Sequence, residues 1–171
     1  MATLLPKDKH KGATCLIVGK GPSLDKLVPQ SISKDWIVFF CNDAYLELEN
    51  EHVYCVQMDR TLGDVLKDRK HRIVTSSTLE LYPEQINTYV YTLRMAKPSR
   101  LNFAVILAIE AAKYMGGTYF VLTGFDGAFG GDCEYAKKIG YSAKRGGKIE
   151  RFRSHKNDIL RCLEDYKWRR L

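Results

Sequence analysis

The sequence predicts an α/β fold: a Rossmann-like three-layer sandwich with a mainly parallel sheet. Short apolar runs recur along the 171-residue chain, helical stretches separate them, and several runs end in glycine or asparagine. Continuous apolar runs are typical of strands buried on both faces, and their alternation with helices favours parallel pairing. The length corresponds to one domain, so we assign residues 1–171 to a single nucleotide-binding α/β domain.

Six apolar runs are predicted as strands. The run beginning at Thr14 ends directly in Gly19, and the run beginning at Tyr119 ends in Gly124. β-branched and aromatic residues enrich all six runs, as expected for strands. The predicted strands are Thr14–Val18, Trp36–Cys41, Val53–Gln57, Arg72–Thr75, Tyr89–Thr92 and Tyr119–Thr123.

Three segments are predicted as helices: Leu62–Arg69, Asn102–Met115 and Asn157–Arg169. Asn102 is a candidate N-cap, and the glycines at 116 and 117 are a stop signal. Residues 127–153 are rich in glycine and charge with weak periodicity. A stretch of this length in a small domain is either a lid or binding loop or an ordinary surface excursion; we assign it as a lid or binding loop.

The composition of the chain limits the classes of partner and the cellular compartment that we expect. The net charge of +7 favours an anionic partner: a nucleotide, an acidic surface or, less favoured, nucleic acid. No apolar run reaches the length of a membrane span, and five cysteines without paired spacing indicate a reducing compartment, so we expect a cytoplasmic protein. The scattered cysteines also argue against a zinc site, and we assign no metal ligands.

The first candidate site is the loop after the strand Thr14–Val18. Its residues are Gly19, Lys20, Gly21, Pro22 and Ser23. Glycines there permit a sharp turn and a close approach to a ligand, and a following helix start suits an anion. A structural turn explains the same residues, because the pattern is neither of the common phosphate-binding glycine motifs.

Polar residues at the other strand ends complete the predicted site, because ligands bind at the carboxyl edge of a parallel sheet. Asn42 and Asp43 follow the second predicted strand, and Gly124 and Asp126 follow the sixth. Asn102 opens the long predicted helix. Each of these residues also fits a turn or a helix cap without any ligand.

His155 is the candidate catalytic residue. The sequence predicts that it precedes the last helix, with Arg153 and Lys156 beside it. An imidazole near neutral pH is suited to general base or acid catalysis, although a solvated loop histidine is the alternative.

Four segments together resemble the Campylobacter-type bacterial sialyltransferases and their relatives. Residues 16–24 resemble that family's G-N-G-P-S-L segment, and residues 40–45 resemble its R-C-N-x-x-Y segment. Residues 122–126 resemble its S-G-I-D segment, and residues 155–159 resemble its histidine followed by K-N and D-I pairs. The similar segments span positions 16–160, whereas Lys20 replaces the family's asparagine.

The resemblance implies a metal-independent glycosyltransferase with a cytidine-nucleotide donor and no separate cofactor. Gly21, Ser23 and Asn42 would contact the nucleotide, and His155 would deprotonate the acceptor hydroxyl. The same G-x-G-P-S-L and G-x-D segments also resemble archaeal-type hydroxymethylpterin pyrophosphokinases, which use ATP and magnesium. A non-catalytic module that binds a nucleotide or nucleic acid is the third alternative, and the acceptor and the oligomeric state stay open.

Overall fold

The computed structural model describes residues 2–58, 71–75, 88–92, 94, 103–131, 135–139 and 149–171. The predicted helix Leu62–Arg69 lies outside these residues, as does Asn102. Within the described residues, no helix has both the length and the apolar character that a membrane span requires.

One parallel sheet organises the described residues. Its eight strands lie in the order β1-β6-β5-β4-β3-β2-β7-β8, and every neighbouring pair is parallel. The fold prediction is therefore confirmed. The strands are β1 Thr3–Leu4, β2 Thr14–Val18, β3 Ile37–Cys41, β4 Val53–Val56, β5 Arg72–Val74, β6 Thr88–Val90, β7 Tyr119–Thr123 and β8 Lys167–Arg170.

Helices cover the sheet. The α-helices are α1 Ser23–Lys26, α2 Phe103–Tyr114 and α3 Ile149–Cys162, with 3₁₀ turns at Pro29–Ser31, Asp126–Phe129 and Lys137–Ile139. Side chains of α2 and α3 share one apolar cluster with Phe39 and Phe120 of the sheet. Residues of and after α1 share a second cluster with Phe40 and Val121, which are the next residues along the same strands. Because neighbouring strand residues point to opposite faces, the two clusters form the two sides of a three-layer sandwich.

The strands β2, β3 and β7 form where the sequence is almost continuously apolar. All five residues of β3 are buried, and so are four of the five in β2 and in β7. Strands buried on both faces are composed mostly of apolar residues, and these segments are apolar apart from Thr14 and Thr123. Cys15, Cys41 and Cys55 are buried in β2, β3 and β4, as expected for small apolar residues.

The last helix is present, but its predicted bounds, Asn157–Arg169, were wrong. The last helix begins at Ile149 and ends at Cys162, eight residues before its predicted start and seven before its predicted end. Lys167–Arg170 is instead an edge strand paired with β7. Its exposed, charged residues lack the apolar run of a central strand, because an edge strand is protected by charge rather than buried. The short strand Thr3–Leu4 was not predicted either.

The edge strand β8 can be tested with proline. The N–H of Leu171 donates to the carbonyl of Leu122, and alternate N–H groups face the same side of a strand. The N–H of Arg169 therefore faces β7, whereas that of Arg170 faces away. We expect Arg169→Pro to lower the free energy of unfolding by about 1–3 kcal/mol, because it removes a ladder bond.

Arg170→Pro is the matched control, since an edge strand tolerates proline at an outward N–H. Urea denaturation of the two variants decides the assignment. Equal destabilisation by both prolines would favour a helix at these residues.

Candidate functional site

The site lies at the switch point of the sheet. β2 and β7 are neighbours, and the strands that follow them, β3 and β8, lie on opposite sides of this central pair. Such a reversal leaves a crevice beyond the carboxyl ends of the two strands, where ligands of open α/β sheets bind. Gly19 follows β2 and Gly124 follows β7, so the two predicted loops meet there.

The two loops touch through their backbones. Gly19 N–H donates to Thr123 O at 2.8 Å, and Gly21 N–H donates to Gly124 O at 2.7 Å. A Cβ added to Gly19 would lie 2.5 Å from Gly124 O, and one on Gly124 would lie 2.2 Å from Gly19 O. Gly124 also has a positive φ of 76°. Glycine is therefore required here by steric contact between the loops as well as by conformation.

Ser23 and Asp126 connect the loops through their side chains. Ser23 Oγ donates to Asp126 Oδ2 at 2.9 Å and accepts from Gly124 N–H at 2.8 Å. Ser23 N–H donates to the same Oδ2 at 3.0 Å. The amides of Gly19, Gly21 and Ser23 thus donate within the protein and are not available to a bound phosphate. Pro22 precedes α1 with a φ of −59°, which suits a helix start.

A pocket of about 480 Å³ opens beside this connection. Its volume falls within the range of about 300–1,000 Å³ typical of small-molecule sites. Its lining combines hydroxyls, apolar side chains, two cations and one carboxylate. They include Ser23 and Thr123, Leu122 and Phe125, Lys26 and Arg170, and Asp126.

Lys20 and Asp43 form a separate polar pair. Lys20 Nζ lies 2.8 Å from Asp43 Oδ1, in an ion pair outside hydrogen-bond geometry. The same ammonium lies 4.6 Å from the centre of the Tyr135 ring. The charge of Lys20 is thus engaged by a carboxylate and an aromatic face.

Asn42 has a structural role of its own. Its φ of 55° lies in the left-handed region, which asparagine tolerates better than most residues. Its N–H donates to Val56 O at 2.7 Å, and its Oδ1 accepts from Met58 N–H at 3.0 Å. Asn42 therefore connects the ends of β3 and β4 at the carboxyl edge.

His155 lies inside α3, so the prediction that it precedes the last helix was wrong. It is half-buried and shares a helix face with Ile159 and Cys162, both of which are core residues. The helix packs against the 3₁₀ turn Asp126–Phe129, which follows β7. His155 thus belongs to an element that contacts the switch-point loop.

Residues 135–139 dock on the loop after β2 and on α1. Ala136 N–H donates to Lys20 O at 2.7 Å. Asp25 accepts from the N–H groups of Lys137 and Lys138 at 2.8 and 2.9 Å and so caps the 3₁₀ turn from another part of the chain. The sequence does not predict this role of Asp25, because nothing near it in the chain indicates a contact with residues 137 and 138.

The predicted lid or binding loop, residues 127–153, contains three described parts. These are the turn after β7, the docked residues 135–139 and the first residues of α3. Residues 132–134 and 140–148 lie outside the described residues, so the assignment of a lid stays a prediction.

In comparisons with known proteins, the chain matches no family model, no curated protein and no solved structure.

The glycine contact yields a first test of the site. Gly124 and Gly130 both have positive φ, but a Cβ on Gly130 would meet nothing within 4 Å. We expect Gly130→Ala to cost about 1–2 kcal/mol from backbone strain alone. Gly124→Ala adds a backbone clash with Gly19 O and should lower stability several-fold more. Thermal unfolding of both variants measures the difference, and equal losses would contradict the close contact.

The Asp25 cap makes a pH prediction. The N–H groups of Lys138 and Lys137 hold the pKa of Asp25 below its ordinary value of 3.8. A lowered folded-state pKa means that the carboxylate contributes stability above pH 3.8, and that this contribution is lost as the pH falls through the lower pKa. We expect Asp25→Ala at pH 7 to increase amide exchange at Lys137 and Lys138 about fivefold, since a lost cap costs about 1 kcal/mol.

Hydrogen exchange of wild type and variant at pH 7 and pH 3 measures this effect. Asp35→Ala, another aspartate outside the site, is the control. A difference between wild type and Asp25→Ala that is as large at pH 3 as at pH 7 would contradict a role for the ionised carboxylate.

Proposed function

We propose that the chain binds an anionic nucleotide in the switch-point pocket and transfers a sugar from it to an acceptor hydroxyl. The observation that carries this proposal is the position of a pocket of about 480 Å³, lined by two cations, at the sheet's topological switch point. The general binding rule for open α/β sheets supports a ligand there. The resemblance to the sialyltransferases favours a cytidine nucleotide as the donor.

Lys26 and Arg170 are the proposed phosphate contacts. Both line the pocket, and the guanidinium of Arg170 lies 4.7 Å from the centre of the Phe129 ring. Stacking of this kind orients the planar group. Positive charge near the phosphate favours departure of the nucleotide, because negative charge develops there as the sugar leaves.

Phe125 and Thr123 are the proposed neighbours of the nucleoside. Phe125 supplies apolar surface, and Thr123 supplies a hydroxyl at the end of β7. The hydrogen bonds between Ser23 and Asp126 hold the two loops together at the pocket wall. This rigidity supports binding, since a preorganised site loses less conformational freedom on association.

His155 is the proposed general base. In the proposed step it takes the proton of the acceptor hydroxyl while that oxygen forms a bond to the anomeric carbon of the sugar. The bond from that carbon to the donor phosphate breaks, and the nucleotide leaves with the electron pair. Support comes from the resemblance and from the packing of α3 against the turn at Asp126–Phe129.

Calorimetry and thermal shift with CMP, CDP, CTP, ATP, GTP and UDP, with and without magnesium, test the proposal. A nucleotide at about 100 times its Kd stabilises the folded chain by about 2.7 kcal/mol, or about 5–10 °C in Tm. We expect cytidine nucleotides to give this shift without magnesium. Lys26→Ala should weaken them about ten- to hundredfold, because a charge-assisted contact is lost.

Lys11→Ala is the control, since Lys11 is an exposed lysine that precedes β2, at the end of that strand opposite the pocket. Stabilisation by ATP only with magnesium would replace the glycosyl transfer with the pyrophosphokinase alternative. No stabilisation by any nucleotide, together with polymer binding that weakens steeply with salt, would favour the nucleic-acid module and overturn the proposal. His155→Gln should keep nucleotide binding and lose transfer to the acceptor.

A further inference from the structure

Arg72 is a cation buried without a countercharge in the described structure. It is the first residue of β5, and its side chain is fully buried, with 0% exposure. Its Nη1 donates to Gln57 Oε1 at 3.0 Å, but its Nε and Nη2 are buried without a hydrogen-bond partner. None of the ion pairs among the described residues includes Arg72.

Burial of this kind is costly. A guanidinium keeps its charge in proteins, and buried charges are normally paired with an opposite charge. Burial lowers the pKa of Arg72, as expected for a cation without a compensating carboxylate. Two orphaned donors on one buried charge therefore require an explanation.

Thr88 supplies an independent observation. Arg72 pairs with Thr88 of β6 on one side and with Cys55 of β4 on the other. Residues in register on parallel strands project to the same face, so Arg72 and Thr88 lie side by side. Thr88 is 1% exposed, and its Oγ1 is likewise buried without a hydrogen-bond partner. The unpaired donors of Arg72 and Thr88 therefore lie beside each other on the same face of the sheet.

The open edge of the guanidinium has a specific chemistry. Nε–H and Nη2–H point in the same direction and form the fork that binds two oxygens of a carboxylate or phosphate. Gln57 holds Nη1 and so orients this fork. The hydroxyl of Thr88 is suited to donate to a further oxygen of the same group.

We propose that Arg72 and Thr88, with Gln57 as a positioning residue, bind a small oxyanion that carries a phosphoryl or carboxylate group. Neighbouring strands lie about 4.8 Å apart, so β5 is about 14 Å from β2 and farther from β7. The oxyanion site is therefore distinct from the switch-point pocket, and it does not depend on the proposed transfer reaction.

Thermal unfolding of the full chain tests the site. The protein is transferred to chloride buffer, and inorganic phosphate or acetate is added at constant ionic strength. We expect one of the two anions to raise the Tm in a saturable manner, and the more effective anion identifies the phosphoryl or carboxylate chemistry. Arg72→Met should weaken this anion at least tenfold, and Thr88→Val several-fold.

Gln57→Glu adds a test that does not depend on removing the cation. A carboxylate at this position supplies the missing countercharge, so we expect a higher Tm in chloride and a smaller gain from the added anion. If Arg72→Met fails to fold, this variant and Thr88→Val decide the question. Arg161→Met, at an arginine whose side chain is 55% exposed, is the control and should keep the response to the anion.

Two variants distinguish the oxyanion site from the proposed nucleotide site. Lys26→Ala should lose cytidine nucleotide binding and keep the stabilisation by the small anion, and Arg72→Met should show the reverse. Equal responses of wild type and Arg72→Met to both anions would overturn the oxyanion site. So would an unchanged response in Thr88→Val and Gln57→Glu.

Discussion

The backbones of Gly19 and Gly124 touch at the carboxyl edge of the sheet, where β2 and β7 end. Neither residue can carry a side chain without displacing the other, and Ser23 and Asp126 add side-chain hydrogen bonds to the same junction. This contact sets where α1 begins and where the turn after β7 lies, so it shapes one wall of the pocket. The amides of Gly19, Gly21 and Ser23 hold the two loops together, so the proposed phosphate contacts are side chains instead.

Burial explains how much of the fold the sequence predicted. β2, β3 and β7 are recognisable because strands covered on both faces are composed mostly of apolar residues. The C-terminal region was misassigned because its signals are weaker. α3 is amphipathic with many charges, and Lys167–Arg170 is a charged edge that no periodicity distinguishes from a solvated helix.

Contacts between distant segments explain what the sequence did not predict at the site. Glycines after β2 and β7 were identified, yet the reason for them, steric contact across about a hundred residues of chain, was not visible. Nothing in the sequence beside Asp25 or Arg72 indicates the structural role of either residue. One gains its role from a segment more than a hundred residues away, and the other from burial beside β4 and β6.

The pairing of β2 with β7 places Thr14 beside Tyr119, and the strands that lie between them in the chain, β3 to β6, are all on the other side of β2. Loop closure over such a distance is slow, because its entropy must be lost before the contacts form. During synthesis on the ribosome, the edge of β2 that pairs with β7 stays unpaired until β7 has emerged. We therefore expect the nascent chain to fold late, and the newly synthesised N-terminal half to expose aggregation-prone strand edges until then.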